Sequence, residues 1–194
     1  MGWGRSHLDS SDAAFKRGAA MSNLLHPNGV GPSHGRITIY SAPKAVLTHI
    51  QWSLGEAVGA PINLHWQPQP LRSGTWCTHL NWSSSIGAGS RIASTLMGWH
   101  YLCFEVYEAA GNGSDGSLFL FTQELGLYRA DVNSHGDIVV NENQILRAMK
   151  FATKDSTLIL ELEKLLGNPW HEYLEPFRRA EIDGANIYAD RISV

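Results

Sequence analysis

Between Arg36 and Tyr107 the hydrophobic positions switch repeatedly between two periods, in the order strand, helix, strand, strand, helix, strand. Arg36-Ile-Thr-Ile-Tyr-Ser41 is β-branched and aromatic with period two, which predicts a strand. Val46, Leu47, Ile50, Leu54 and Val58 then fall at helical spacing. Ser41 offers an N-cap hydroxyl, Pro43 suits a first turn, and Gly59-Ala-Pro61 stops the run. Two more alternating runs, Ile62 to Gln67 and Thr75 to Trp82, flank a turn-forming Pro68-to-Gly74 segment and predict a β-hairpin. Pairing symmetric about Arg72 sets Leu64 opposite Leu80 and His65 opposite His79. Leu64, Trp66, Leu80 and Trp82 then share the buried face, with Asn63, His65, Cys77, His79 and Asn81 on the other. A second helix is predicted over Gly87 to Met97, with Gly98 as its stop. Tyr101 to Tyr107 alternates again, with Leu102, Phe104 and Val106 on one side and Tyr101, Cys103, Glu105 and Tyr107 on the other.

This order predicts an α+β fold built on a ferredoxin-like β-α-β-β-α-β unit over residues 36–107. Right-handed crossovers put both helices on one face of an antiparallel sheet, with the first and third strands central. An extension over 108–194 adds a β-hairpin, Ser117 to Thr122 with Gly126 to Val132, and a brief strand at Ile138 to Val140. Helices follow. Asn141 with Gln144 forms a capping-box pattern ahead of Glu142 to Phe151. Ser156 to Leu166 carries an apolar stripe that ends at Gly167 and Pro169. Trp170 and Leu174 fall on a short turn of helix broken at Pro176, and Ala185 to Ser193 suggests an edge strand. Residues 1–34 mix Gly, Ser, Asp, His and Pro without a period and are expected to be a disordered tail. Met21 is a plausible natural start, so residues 1–20 are expected to lie outside the natural protein. Residues 35–194 are expected to form a single domain.

Composition narrows the function classes. The 194 residues are 43% apolar and 17% charged, with a net charge of −3, which gives no footprint for nucleic acid or an anionic membrane. No apolar run approaches a membrane span, and the first twenty residues lack the core of a secretion signal. Met1-Gly-Trp-Gly-Arg-Ser6 matches the loose N-myristoylation pattern, which is not taken as a membrane anchor. Two cysteines, Cys77 and Cys103, make no disulfide framework, and the proposed sheet separates their strands by roughly two 4.8 Å spacings. Unpaired thiols predict a reducing, cytoplasmic setting.

Candidate chemistry gathers on one sheet face. His65 and His79, directly opposite each other, could share a metal or relay a proton, with Cys77 beside them. No spacing supplies a fourth ligand for a structural zinc site, so neither metal nor cofactor is predicted. The same face takes Thr38, Tyr40, Glu105 and Tyr107. RNA-recognition sheets stack bases on such aromatics, but their Lys/Arg-Gly-aromatic signature is absent. Tyr40, His65, Cys77, His79, Glu105 and Tyr107 are therefore the ligand-surface candidates, against the plainer reading of a polar face covered by the extension. Gly87-Ala-Gly-Ser-Arg91 opens a helix and can present N–H groups to an anion, yet lacks any nucleotide fingerprint and reads first as a close strand-to-helix connection. His171-Glu-Tyr-Leu-Glu175 lacks the second histidine of a zincin helix. No Gly-x-Ser-x-Gly elbow occurs.

Ser41-Ala-Pro-Lys-Ala-Val-Leu-Thr-His-Ile-Gln-Trp-Ser-Leu54 resembles an uncharacterised actinobacterial family, the domain of unknown function 3145 family. The likeness continues through Trp66-Gln-Pro-Gln-Pro70, Arg91 to Trp99, Phe104-Glu105, Thr122-Gln-Glu-Leu-Gly126 and Leu165 to Arg178. It carries no activity or catalytic residue onto this chain, and implies only a link to fatty-acid metabolism. The reading is an accessory or regulatory protein without catalysis, acting through a protein- or small-ligand-binding sheet surface, with a protein partner or as a homo-oligomer. The alternative is an enzyme that uses the His/Cys/Glu group of that face.

Overall fold

The computed structural model describes residues 32–111, 113–153 and 157–192, with side chains to residue 180. Of the tail expected over 1–34, residues 1–31 lie outside them, and residues 32–34 are strand rather than tail. Seven strands form one antiparallel sheet: β1 (Pro32–Pro43), β2 (Gln67–Pro68), β3 (Thr75–Ser85), β4 (Cys103–Glu108), β5 (Gly116–Thr122), β6 (Gly126–Val132) and β7 (Ile138–Val139). Their spatial order is β2-β3-β1-β4-β5-β6-β7. The helices are α1 (Leu47–Val58, led in by a 3-10 turn at Lys44–Val46), α2 (Ala88–Leu96), α3 (Glu142–Phe151), α4 (Leu158–Leu165) and α5 (Asn168–Ile192).

Two apolar layers sandwich the sheet. Ile37, Ile39, Leu102, Phe104, Val106, Phe119 and Phe121 face Ile50, Leu54 and Val58 of α1 and Ile92, Ala93 and Leu96 of α2. On the opposite face Tyr40, Cys103, Leu118, Leu120, Tyr128, Ala130 and Val132 pack against Leu174 and Phe177 of α5. The alternation along β4 and β5 is what sends neighbouring residues to opposite layers. Burying a single side chain such as Leu174, fully shielded from solvent, is worth about 2 kcal/mol.

Several elements depart from expectation, each for a local reason. The first strand begins at Pro32 and runs through Ser41, which is not a helix cap but lies opposite Cys103 in the β1–β4 ladder. Pro43 fills the cap position without a side-chain bond. A bulge at Tyr40, between Ile39 and Ser41, shifts the phase so that Ala42 joins the α1/α2 layer with Ile37 and Ile39. The hairpin keeps its expected register, Gln67 opposite Cys77, but its first strand shrinks to two residues. Upstream, side chains replace the ladder: Gln51 Oε1 accepts from the Leu64 N–H at 3.0 Å, and Thr78 Oγ1 donates to the His65 carbonyl at 2.9 Å.

The expected break at Pro176 and the expected C-terminal edge strand are both overturned: α5 continues through Pro176 and is helical to Ile192. Proline removes one backbone bond, but the turns around it are held by Trp170, Leu174 and Phe177 against the sheet. Gly167 sets the angle of entry. Its φ is +73°, and a Cβ there would stand 2.6 Å from the Tyr128 ring, so only glycine fits. Trp170 Nε1 then donates to the Gly126 carbonyl at 3.0 Å and Tyr128 Oη to the Leu165 carbonyl at 2.7 Å. Burial pushes the Tyr128 phenol up to about 12, so it stays a donor.

Candidate functional site

The layer under α5 covers only half of its sheet face. The β4–β6 half is apolar and meets α5, whereas the half over β3 and β1 presents Thr38, Cys77 and His79. A cleft of about 290 Å³ opens at the boundary, lined by Thr38, Tyr40, His65, Gln67, Gln69, Cys77, His79 and, from α5, Phe177. The β1–β3 ladder sets Thr38 opposite His79, and the β1–β4 ladder sets Glu105 on its other side, so one transverse row crosses from imidazole to carboxylate.

Two features make the cleft rigid. Tyr40 has no ladder partner at the bulge, and its carbonyl takes a 2.6 Å bond from Gln69 Nε2. Gln69 is itself buried; its Oε1 holds the Leu71 N–H at 3.1 Å and its own N–H donates to the Thr75 carbonyl at 2.9 Å. The other end is a polar clasp. Tyr40 Oη donates to Glu105 Oε2 at 3.1 Å, while Arg178 of α5 donates to the same oxygen at 2.7 Å and to Tyr40 Oη at 3.3 Å. Arg178 Nη1 lies 3.2 Å from His171 Nδ1, one α5 face upstream. Burial first, and Glu105 next, raise the Tyr40 pKa, so the phenol stays protonated. Burial and the neighbouring Arg178 hold His171 below the ordinary imidazole value, favouring a neutral ring that accepts from the guanidinium.

A second clasp ties the hairpin turn to α5. Arg72 Nη2 donates to Tyr173 Oη at 2.9 Å, Nη1 reaches Cys103 Sγ at 3.7 Å, and the guanidinium lies 5.7 Å from the Phe177 ring centre. Burial raises the Cys103 thiol. Cys77 is half-buried on the cleft wall; the two thiols sit on β3 and β4 with β1 between them and form no disulfide.

Of the sequence candidates, Tyr40, His65, Cys77 and His79 come together around this cleft, and Glu105 joins them through Tyr40. Tyr107 does not. It stands in a separate groove with His34, Arg36 and Asn81. Gln69, Phe177 and Arg178 were not legible as cleft or clasp residues, because two of them depend on α5 continuing past Pro176. The Gly87–Arg91 anion position is filled from within: Glu108 accepts from the Gly87 N–H at 2.7 Å and the Gly89 N–H at 2.9 Å. A wider depression of about 750 Å³ along α1, beside Trp52 and Pro61, is an open hollow, and its Gln51 is engaged with Leu64. Among the described residues, no three His, Cys, Asp or Glu side chains are placed to hold a metal ion. No helix among them is long and apolar enough to cross a membrane.

Fold and cleft together define an α+β protein with a polar, half-covered sheet face. The chain belongs to the family described as protein of unknown function (DUF3145), whose model matches residues 36–189. No curated protein and no solved structure matches it.

Proposed function

We propose that this chain is a cytoplasmic accessory or regulatory protein that binds a small polar molecule in the cleft between β3, β1 and α5. The observation that carries the reading is the lining itself. The imidazoles of His65 and His79, the Gln67 carboxamide, the Thr38 hydroxyl and the Cys77 thiol line a space of about 290 Å³, closed at one end by the Phe177 ring. Such a space is at the small end of ligand pockets, and an apolar wall with a few placed polar groups is their usual make-up. The strand order β2-β3-β1-β4 with α1 and α2 against one face supports reading the first half as a ferredoxin-like unit. On that reading the cleft lies on the sheet face opposite the two crossover helices.

Native mass spectrometry of the protein purified without denaturation from its own cells tests this. A retained small molecule is expected, and it should be lost from His65→Ala/His79→Ala, whose side chains are exposed and whose removal leaves stability within about 0.5 kcal/mol. A bare protein mass in wild type and variant alike would count against it. A second reading, enzymatic, draws on Cys77 standing in the same cleft as both histidines. Loss of a turnover on Cys77→Ser with ligand retention unchanged would favour it.

A further inference from the structure

The apolar surface that the fold leaves uncovered is concentrated in α3 and α4. Of fourteen large hydrophobic side chains exposed among the described residues, eight lie between Ile145 and Leu166. Met149 is 58%, Phe151 64% and Ile159 68% exposed. The apolar stripe expected to bury the last of these does not: α4 buries none of its residues, and α3 buries only Ala148. The two helices pack on each other, and α4 packs on α5 and meets the sheet at its C-terminal end, where the Leu165 carbonyl takes the Tyr128 bond. Helices of ten and eight residues are too short to persist on propensity and capping alone and depend on an apolar face being covered.

We propose that this α3–α4 hairpin is a homodimer interface, the hairpins of two copies packing as a four-helix bundle about a two-fold axis. Area supports a second copy as the occupant. These eight residues, about half exposed on average, present several hundred Å² of apolar surface, of the order of the roughly 800 Å² that each partner contributes to a stable interface. Charge supports the arrangement. α3 carries Arg147 and Lys150 beyond its first-turn Glu142, a net positive charge, and α4 keeps Glu163 beside its internal Glu161–Lys164 pair at 2.9 Å, a net negative one. A two-fold axis that lays α3 of one copy along α4 of the other sets basic against acidic twice over, as a self-complementary patch must.

Sedimentation equilibrium of the full chain tests it. The expected result is a concentration-dependent species of twice the 21.4 kDa chain mass. Met149→Glu and Ile159→Glu should each weaken dimerisation by about 30-fold or more, with the melting temperature of the monomer unchanged. Arg147→Glu should weaken it too, and Glu163→Arg in the same chain should restore it. A monomer throughout, or a dimer indifferent to both apolar variants, overturns the proposal. So does a monomer that Ile159→Glu destabilises, which would mean that another part of the same chain covers the face. Flotation of a monomer with vesicles of phosphatidylcholine and phosphatidylglycerol, abolished by Ile159→Glu, would assign the face to a lipid surface instead.

Discussion

Glu108 shows how one residue can turn a suggestive motif into structure. It is only 4% exposed, and its two carboxylate oxygens are shared between the Gly87 and Gly89 N–H groups at the start of α2. Those N–H groups have no partner within the helix, and the helix N-terminus adds a favourable field for the negative charge. A Cβ at Gly89 would lie 2.8 Å from Glu108 Oε2 and push the carboxylate off the N–H groups it holds. Glu108→Gln removes the charge and sets an amide NH₂ against one backbone N–H. We expect a loss of about 2 kcal/mol in the free energy of urea unfolding, with α2 retained; an unchanged midpoint would show that the carboxylate is not the cap.

At the scale of elements, α5 is the piece whose docking decides what the sheet face becomes. Its Arg178 holds Glu105 and Tyr40, and it faces His171 one turn-pair upstream. His171 is held below the usual imidazole value by burial and Arg178, against the opposing pull of Glu105 and Glu175. The unfolded chain therefore takes up the proton first. Its contribution to stability is complete above about pH 6.5 and is lost as the pH falls through the lower folded value. Unfolding at descending pH should show stability falling below neutrality, and His171→Gln, which keeps an acceptor for Arg178, should flatten that slope. A variant with the wild-type slope would assign the titration elsewhere. Much of the fold was legible because local signals agreed with tertiary demands. The Asn141/Gln144 capping box, the β5–β6 hairpin and the register about Arg72 all follow from residues close in sequence. What was not legible needed distant partners. Pro176 reads as a breaker until Leu174 and Phe177 find the sheet, and Ser41 reads as a cap until Cys103 pairs with it. The His65/His79 side of the cleft could be read from the hairpin alone, whereas its Phe177 wall could not.

For the whole molecule, the sheet's two faces are unequal. One is sealed by α1 and α2; the other is sealed by α5 only over β4 to β6, where Cys103, Leu118, Leu120 and Tyr128 are apolar enough to reward burial. Over β3 and β1 the residues turn polar, and α5 meets that edge with Phe177 and Arg178. The cleft is thus a consequence of where the apolar pattern stops. Cys77 reports on it directly, since Cys103 has no exposed surface and the chain has no other cysteine. The decisive measurement is the rate of Cys77 alkylation by iodoacetamide in the native protein, with and without the small-molecule fraction of its own cytosol. Cys77 alone should be labelled before unfolding, and a ligand at about ten times its dissociation constant should slow the reaction about tenfold, with the protection lost in His65→Ala/His79→Ala. Labelling that no fraction slows, or protection that survives the loss of both histidines, would contradict the proposed ligand site.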